Sequence, residues 1–312
     1  MNYDRHIWLI SLLRRYPQGI TLRNINRELK NSHLSDTNKF NRVTLLRYRN
    51  TIYKVFGVNI ASKRHAQYSY YYIFNQEVFS RNDMNSWLCS NLITSNLLAG
   101  STSIQDRILP EAIPSNGIML QEILSAMRDN SIITFIYHKY NGETTTRQAE
   151  PYCVKLWNQR WYLLCHNAYT INTPDNSRPM REYAVFSLDR IQQVDATNQH
   201  FKMLDSFSPE LYFHDCYGIL TGDNAKPERI VLQAFGSEAN YLRDLPLHHS
   251  QRIVDNPAQT DDNVTTFEYL MCPTTDFIDA LLSHADRIKV VEPQHLADTI
   301  KTKVQSILKL YQ

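Results

Sequence analysis

Glycine is scarce in this chain, with 8 among 312 residues, and neither GxGxxG nor GxxxxGK[ST] occurs. That excludes the glycine-rich loops through which the common nucleotide folds cradle phosphate on backbone N–H groups. The five cysteines (Cys89, Cys153, Cys165, Cys216 and Cys272) stand far apart and none form CxxC. An odd, unpaired set argues against a disulfide framework and predicts a reducing compartment, the cytoplasm. No apolar run approaches the ~18 residues of a membrane helix. The opening MNYDRHIWLISLLRRYPQG breaks its short apolar stretch with Arg14 and Arg15, so it reads as an amphipathic helix and not as a signal peptide. Zinc spacings such as C-x₂₋₄-C or H-x₃₋₅-H are missing. Cys165 and His166 are adjacent, and on a strand they face opposite ways. His248-His249-Ser250 has no glycine elbow around the serine, so a hydrolase site is not expected. The expectation is therefore no metal, no cofactor and no catalytic residue.

Acidic residues are the most unevenly withheld. Residues 1–75 carry 13 Lys+Arg against Asp4, Glu28 and Asp36, a net of +10, whereas the whole chain nets +2. The remainder is accordingly acidic, and the asymmetry predicts that the first quarter meets a polyanion.

Three helical patterns fill that quarter. The first runs through Ile7, Trp8, Ile10, Leu12 and Leu13 and ends near Pro17-Gln18-Gly19. Thr21 suits the N-cap of a second that carries Leu22, Ile25 and Leu29. The third spans roughly Phe40 to Phe56, with Gly57 suited to its C-terminal left-handed position. Its wheel places Leu45, Tyr48, Ile52, Val55 and Phe56 inward and Val43, Leu46, Arg47, Asn50 and Lys54 outward, with Arg42 and Thr44 at its start. Arg can pair with guanine and Asn with adenine, and a methyl-bearing side chain can touch thymine. VNIAS and YSYYYIF then flank Lys63-Arg64-His65-Ala66-Gln67, giving a hairpin with a cationic tip. Three helices and a basic hairpin make the winged helix-turn-helix plan over 1–75. Its third helix enters the major groove, and Lys63 and Arg64 of the wing meet phosphate.

Residues 76–130 are helical in pattern, interrupted by Pro110 and Pro114. They read as a connector able to supply a dimer contact. From Ser131 the pattern becomes strands: SIITFIYHKY, a turn at Asn141-Gly142, TTTRQAEPYCVKLW, a turn at Asn158-Gln159, RWYLLCHN and REYAVFSLDRI. Short strands with tight turns over 131–200 predict a small antiparallel barrel or a strongly bent sheet. Trp161 and Leu163 share one face, read as core; Arg160, Tyr162 and His166 share the other, read as pocket or interface.

These elements, in this order, resemble the bacterial WYL-domain transcriptional regulators. The tripeptide stands as Trp161-Tyr162-Leu163. It is preceded by Phe135-Ile136-Tyr137, Arg147 and Pro151, and followed by Arg181-Glu182-Tyr183 and Leu188-Asp189-Arg190-Ile191. An H-x-S-Q element follows as His248-His249-Ser250-Gln251. The resemblance implies an N-terminal winged helix, an Sm-like or SH3-like barrel sensing a nucleotide or oligonucleotide, and a C-terminal extension. The side chains suit that role. Arg147, Arg160, Arg181 and Arg190 offer bidentate contacts to phosphate, and Tyr137, Tyr152, Tyr162 and Trp161 offer rings for stacking. With His166, these form the expected ligand set.

Residues 201–312 alternate strand and helix in a βαββαβ-like order, predicting an α+β sandwich for dimerisation or regulation. One helix has the stripe Phe277, Ile278, Leu281 and Leu282; the last has Leu296, Ile300, Val304, Ile307 and Tyr311. His249 and Gln251 are expected to face the barrel. The whole is thus an α+β multidomain chain, read as a homodimeric, effector-responsive regulator of double-stranded operator DNA without membrane contact. The rival reading is a nucleic-acid-processing enzyme delivered by an N-terminal DNA-binding module.

Overall fold

The computed structural model describes residues 3–79, 83–109, 117–171, 182–222, 225–254 and 263–312. Pro110, Pro114 and Arg181 lie outside these. The chain divides into two compact units, Met1–Glu111 and Ala112–Gln312, together a mixed α and β architecture with several sheets.

In the first unit, α1 (Asp4–Arg15), α2 (Leu22–Lys30) and α3 (Arg42–Phe56) surround an apolar centre. Leu9, Ile10, Leu12, Leu13, Ile25, Leu29, Leu45, Ile52 and Phe56 are all buried there. Short polar groups set the helix boundaries. Thr21 accepts from Asn24 N at 3.3 Å to cap α2, Asn41 accepts from Thr44 N at 2.7 Å to cap α3, and Gly57 closes α3 at φ +67°, where a Cβ would be strained. Strands β1 (Ile20–Thr21), β2 (Ile60–His65) and β3 (Tyr68–Ile73) form an antiparallel sheet in the order β1-β3-β2.

The stretch read as a connector divides between the units. α4 (Met84–Ala99) lays Cys89 and Ile93 into the first core. α5 (Gly117–Asp129) brings Ile123 and Ala126 into the second.

That second core lies on a sheet ordered β7-β6-β5-β4-β8. Its strands are β4 (Ser131–His138), β5 (Thr144–Trp157), β6 (Arg160–Thr170), β7 (Tyr183–Ser187) and β8 (Ile191–His200). β5 and β6 meet through Asn158 (φ +44°) and Gln159 (φ +62°), a two-residue turn whose twist matches that of the strands. Long β5 shifts register against β6 between Gln148 and Glu150 and again between Pro151 and Cys153. Such bulges bend a strand and tolerate a proline that cannot donate to the ladder.

After β8 comes the short helix α6 (Pro209–Phe213). Further on, β9 (Glu228–Phe235), β10 (Arg252–Ile253), β11 (Val264–Met271) and β12 (Ile288–Glu292) pair in the order β10-β11-β9-β12. α7 (Glu238–Asp244) and α8 (Thr275–Ser283) bury Leu242, Phe277 and Leu281 with Leu232, Phe267 and Tyr269. In α9 (Gln294–Lys309), Leu296 and Ile300 reach this core whereas Val304 and Ile307 are exposed, as is Tyr311 beyond its end.

Candidate nucleic-acid interface and ligand-contact residues

On α3 the inward and outward sides separate cleanly. Leu45, Ile52 and Phe56 are buried. Val43 is 78% exposed and Leu46 54%, and Arg42, Arg47, Asn50 and Lys54 are exposed on the solvent side with them, whereas Thr44 is half-buried. Tyr48 is half-buried, but Val55, expected inside, is 37% exposed. Ile52 and Phe56 already occupy that side of the core, and Val55 stands off it.

The turn leading into α3 is held by one side chain that the sequence reading passed over. Asn26 of α2 donates to the Phe40 carbonyl at 2.9 Å and accepts from Phe40 N–H at 2.7 Å, satisfying both backbone groups of a residue outside any ladder. Phe40 is further covered by the Arg5 guanidinium at 4.4 Å. His6 stacks on Tyr48 at 4.1 Å, and burial, then the charges of Arg5 and Arg47, pull its pKa down. The hairpin tip carries Lys63 and Arg64 exposed, and the Lys63 ammonium lies 5.5 Å from the Tyr72 ring.

The expected ligand residues of the second unit fall in three settings. Arg160, Arg190 and Tyr137 come together at one corner of the sheet. The Arg190 guanidinium sits 4.7 Å from the Tyr137 ring and 3.6 Å from that of Tyr140, and its Nε donates to the His138 carbonyl at 2.8 Å. Arg160 forms a two-point ion pair with Asp189 and hydrogen-bonds Tyr140, which holds the Tyr140 hydroxyl below its usual pKa. Tyr162 neighbours the corner; burial raises its pKa and the Arg160 charge opposes the rise. Tyr140, 82% exposed, was missed by sequence reasoning; a large ring immediately before Asn141-Gly142 was the available signal.

Arg147 is elsewhere. It is 3% exposed, on the face of β5 that pairs with Phe135. Its Nε donates to Thr145 Oγ1 at 3.1 Å and its Nη1 donates to Thr170 Oγ1. Burial draws its pKa below the ordinary guanidinium value. Tyr152 and His166 form a third setting. His166 Nδ1 lies 2.6 Å from Glu150 Oε2, and Tyr152 packs against His166, Phe201 and Phe207 at 4.8, 5.6 and 4.9 Å. The segment after β8 thus covers the face bearing Tyr152 and His166, whose side chains line an internal aromatic cluster.

The alternation expected for β6 holds. Trp161, Leu163 and Cys165 belong to the core under α5, and His166 lies on the other face. Gln251, expected to face the barrel, is bonded elsewhere. It donates to the Leu242 carbonyl at 2.6 Å and accepts from Leu247 N at 3.1 Å and Tyr269 OH at 2.9 Å, inside the C-terminal layer. His249 packs on His214 and His248. Among the described residues, no three His, Cys, Asp or Glu side chains converge as metal ligands, and no helix is long and apolar enough to cross a membrane.

The WYL domain model matches residues 119–196, and the WCX domain model matches residues 226–308. No curated protein matches the sequence. Among solved structures, the chain is similar to proteasome accessory factor B/C (PafBC) of Arthrobacter aurescens, at 16% identity and a TM-score of 0.38, over 97% of this chain and 46% of that one. It is also similar to a structure described as a CRISPR Cas-related protein, at 10% identity and a TM-score of 0.38, over 89% of this chain and 75% of that one. This chain spans about half the length of the first of these two.

Proposed function

The chain belongs to the WYL-domain family, with a WYL domain followed by a WCX domain, and from that premise we infer that it is a DNA-binding transcriptional regulator. The first unit acts as a winged helix-turn-helix. α3 enters the major groove with Arg42, Val43, Thr44, Leu46, Arg47, Asn50 and Lys54, and the β2–β3 hairpin sets Lys63 and Arg64 against phosphate. The observation that carries this reading is the outer face of α3: bare of core contacts, mixed in amide, cationic and methyl groups, and set in a stretch with 13 basic residues against three acids. Base edges in the major groove offer the complementary acceptors, donors and thymine methyls.

The WYL sheet, an Sm- or SH3-like barrel in this reading, binds a nucleotide or oligonucleotide without turning it over. The Arg160–Arg190–Tyr137–Tyr140 corner supports that part best, since the Arg190 guanidinium lies within 5 Å of two rings there. An anionic effector competes with Asp189 for Arg160. A homodimer presents two α3 helices to two half-sites, and the effector alters their fit.

The test is to purify the protein from cells, identify any co-purifying nucleotide or oligonucleotide, and measure binding to the duplex upstream of its own gene with and without it. Expected are a sequence-specific shift and its modulation by the effector, with Arg181→Ala retaining the shift and losing the modulation. Failure to prefer upstream DNA over random duplex refutes the regulator. Nucleotide or oligonucleotide turnover abolished by a single carboxylate substitution establishes the enzyme instead.

A further inference from the structure

Between the WYL sheet and the C-terminal sheet runs a strap that begins at α6 and continues to Gly222. It is tied on both sides. Toward the WYL sheet, Lys155 Nζ donates to the Gly218 carbonyl at 2.5 Å, its ammonium lies 4.0 Å from the Phe213 ring, and Trp157 meets Tyr217 edge-on at 4.9 Å. Toward the C-terminal layer, the N–H groups of Ile219 and Leu220 both donate to Asp276 Oδ2 at 2.8 Å, and Cys272 N–H donates to the Asp215 carbonyl at 2.7 Å.

That last contact brings two cysteines together. Cys216 of the strap and Cys272, just beyond β11, are partners in a parallel β-bridge. Both are free and buried, and the Cys216 thiol donates to the Thr221 carbonyl at 3.7 Å. Paired residues on neighbouring strands sit about 4.8 Å apart, inside the Cα separation of about 4.4–6.8 Å that a disulfide spans. The other three cysteines belong to other settings: Cys89 in the first unit's core, Cys165 under α5, and Cys153 on β5.

We propose that Cys216 and Cys272 are a peroxide-oxidisable thiol pair that closes to a reversible disulfide, stapling the strap to the C-terminal sheet. The Cys272 sulfur attacks a hydroperoxide, ROOH; the O–O bond breaks, leaving Cys272–SOH and ROH. The Cys216 sulfur then attacks that sulfenyl sulfur, and its proton departs with the hydroxyl as water. Two thiols lose two electrons and two protons, and ROOH becomes ROH and water. Cys272 goes first because the Cys216 thiol is engaged by the Thr221 carbonyl, which holds its proton. Burial pushes the Cys216 thiol up to about 12 and raises Cys272 as well, while the Lys155 ammonium opposes the rise at Cys216. The thiolate is therefore rare at neutral pH, and while it stays rare the reaction quickens about tenfold per pH unit. A staple that closes slowly registers sustained oxidation and ignores brief exposure. None of this depends on whether the chain binds DNA.

The test uses the intact chain, treated with hydrogen peroxide at pH 7, 8 and 9, quenched, unfolded and tagged with maleimide for mass spectrometry. Expected are a fall from five reactive thiols to three, a cross-linked peptide joining Cys216 to Cys272, and recovery of all five with dithiothreitol. The oxidised form should melt roughly 5–10 °C higher, because the closed loop constrains the unfolded chain. In Cys216→Ser, dimedone should trap the Cys272 sulfenic acid and no intramolecular link should form. Five thiols surviving conditions that oxidise free glutathione, or a cross-link between any other cysteines, overturns the proposal.

Discussion

Truncating Arg47 to alanine separates reading from folding. The side chain stands on the outer face of α3 and is exposed, so its loss opens no cavity, and alanine favours the helix. Stability should change by less than about 0.5 kcal/mol. A bidentate pair between arginine and guanine discriminates by about 1–3 kcal/mol, or about 5- to 150-fold in Kd at roughly 1.4 kcal/mol per tenfold. The assay is fluorescence anisotropy on a labelled operator at fixed salt, repeated with each base pair of one half-site substituted in turn. Wild-type protein should lose affinity at the position Arg47 reads, and Arg47→Ala should be indifferent there while keeping its preferences elsewhere. Equal weakening on operator and random duplex would make Arg47 a phosphate contact. A melting point lowered by several degrees would mean that α3 is turned differently from the arrangement described above.

Three further outcomes are expected. Phe135→Ala, at a fully buried ring beneath α5, should cost about 3–5 kcal/mol, read from denaturant unfolding of the second unit; a loss below about 1 kcal/mol would place that ring outside the core. Burial holds His248 below its ordinary 6.5, so the unfolded chain binds more protons just below that value. The resulting stability is present above about pH 7 and is lost as pH falls through 6.5 toward the folded value. His248→Gln should accordingly shrink the drop in melting point between pH 7.5 and 5.5, and an unchanged drop contradicts the assignment. Arg190→Ala, which empties the space between Tyr137 and Tyr140, should leave operator affinity within about threefold and weaken effector binding by about 1–3 kcal/mol per lost stacking or phosphate contact, measured by calorimetry.

Local chemistry was the most legible part of the fold. Thr21, Gly57 and the Asn158-Gln159 turn declared their positions because each answers a backbone need that few residues meet. The outer face of α3 was legible for the same reason: helical period separates what is buried from what is not. Val55 escaped, since a wheel cannot say how wide the covered stripe is. The partners of α4 and α5 were also hidden, because an apolar stripe does not name the core it joins. Arg147 was read from its place in the motif series and from its charge, yet its alternation with Thr145 and Ala149 already placed it on the inward face. Tyr152 was read as a stacking ring and His166 as a pocket or interface residue, because the rings that cover Tyr152, Phe201 and Phe207, are remote in sequence.

The clamp of Asn26 on Phe40 has a consequence for chemical ageing. The amide works by offering one donor and one acceptor to a single peptide unit. Deamidation would turn the donor into a second acceptor, and a carboxylate would then face the Phe40 carbonyl. A one-dalton change on α2 would thereby release the turn that leads into α3.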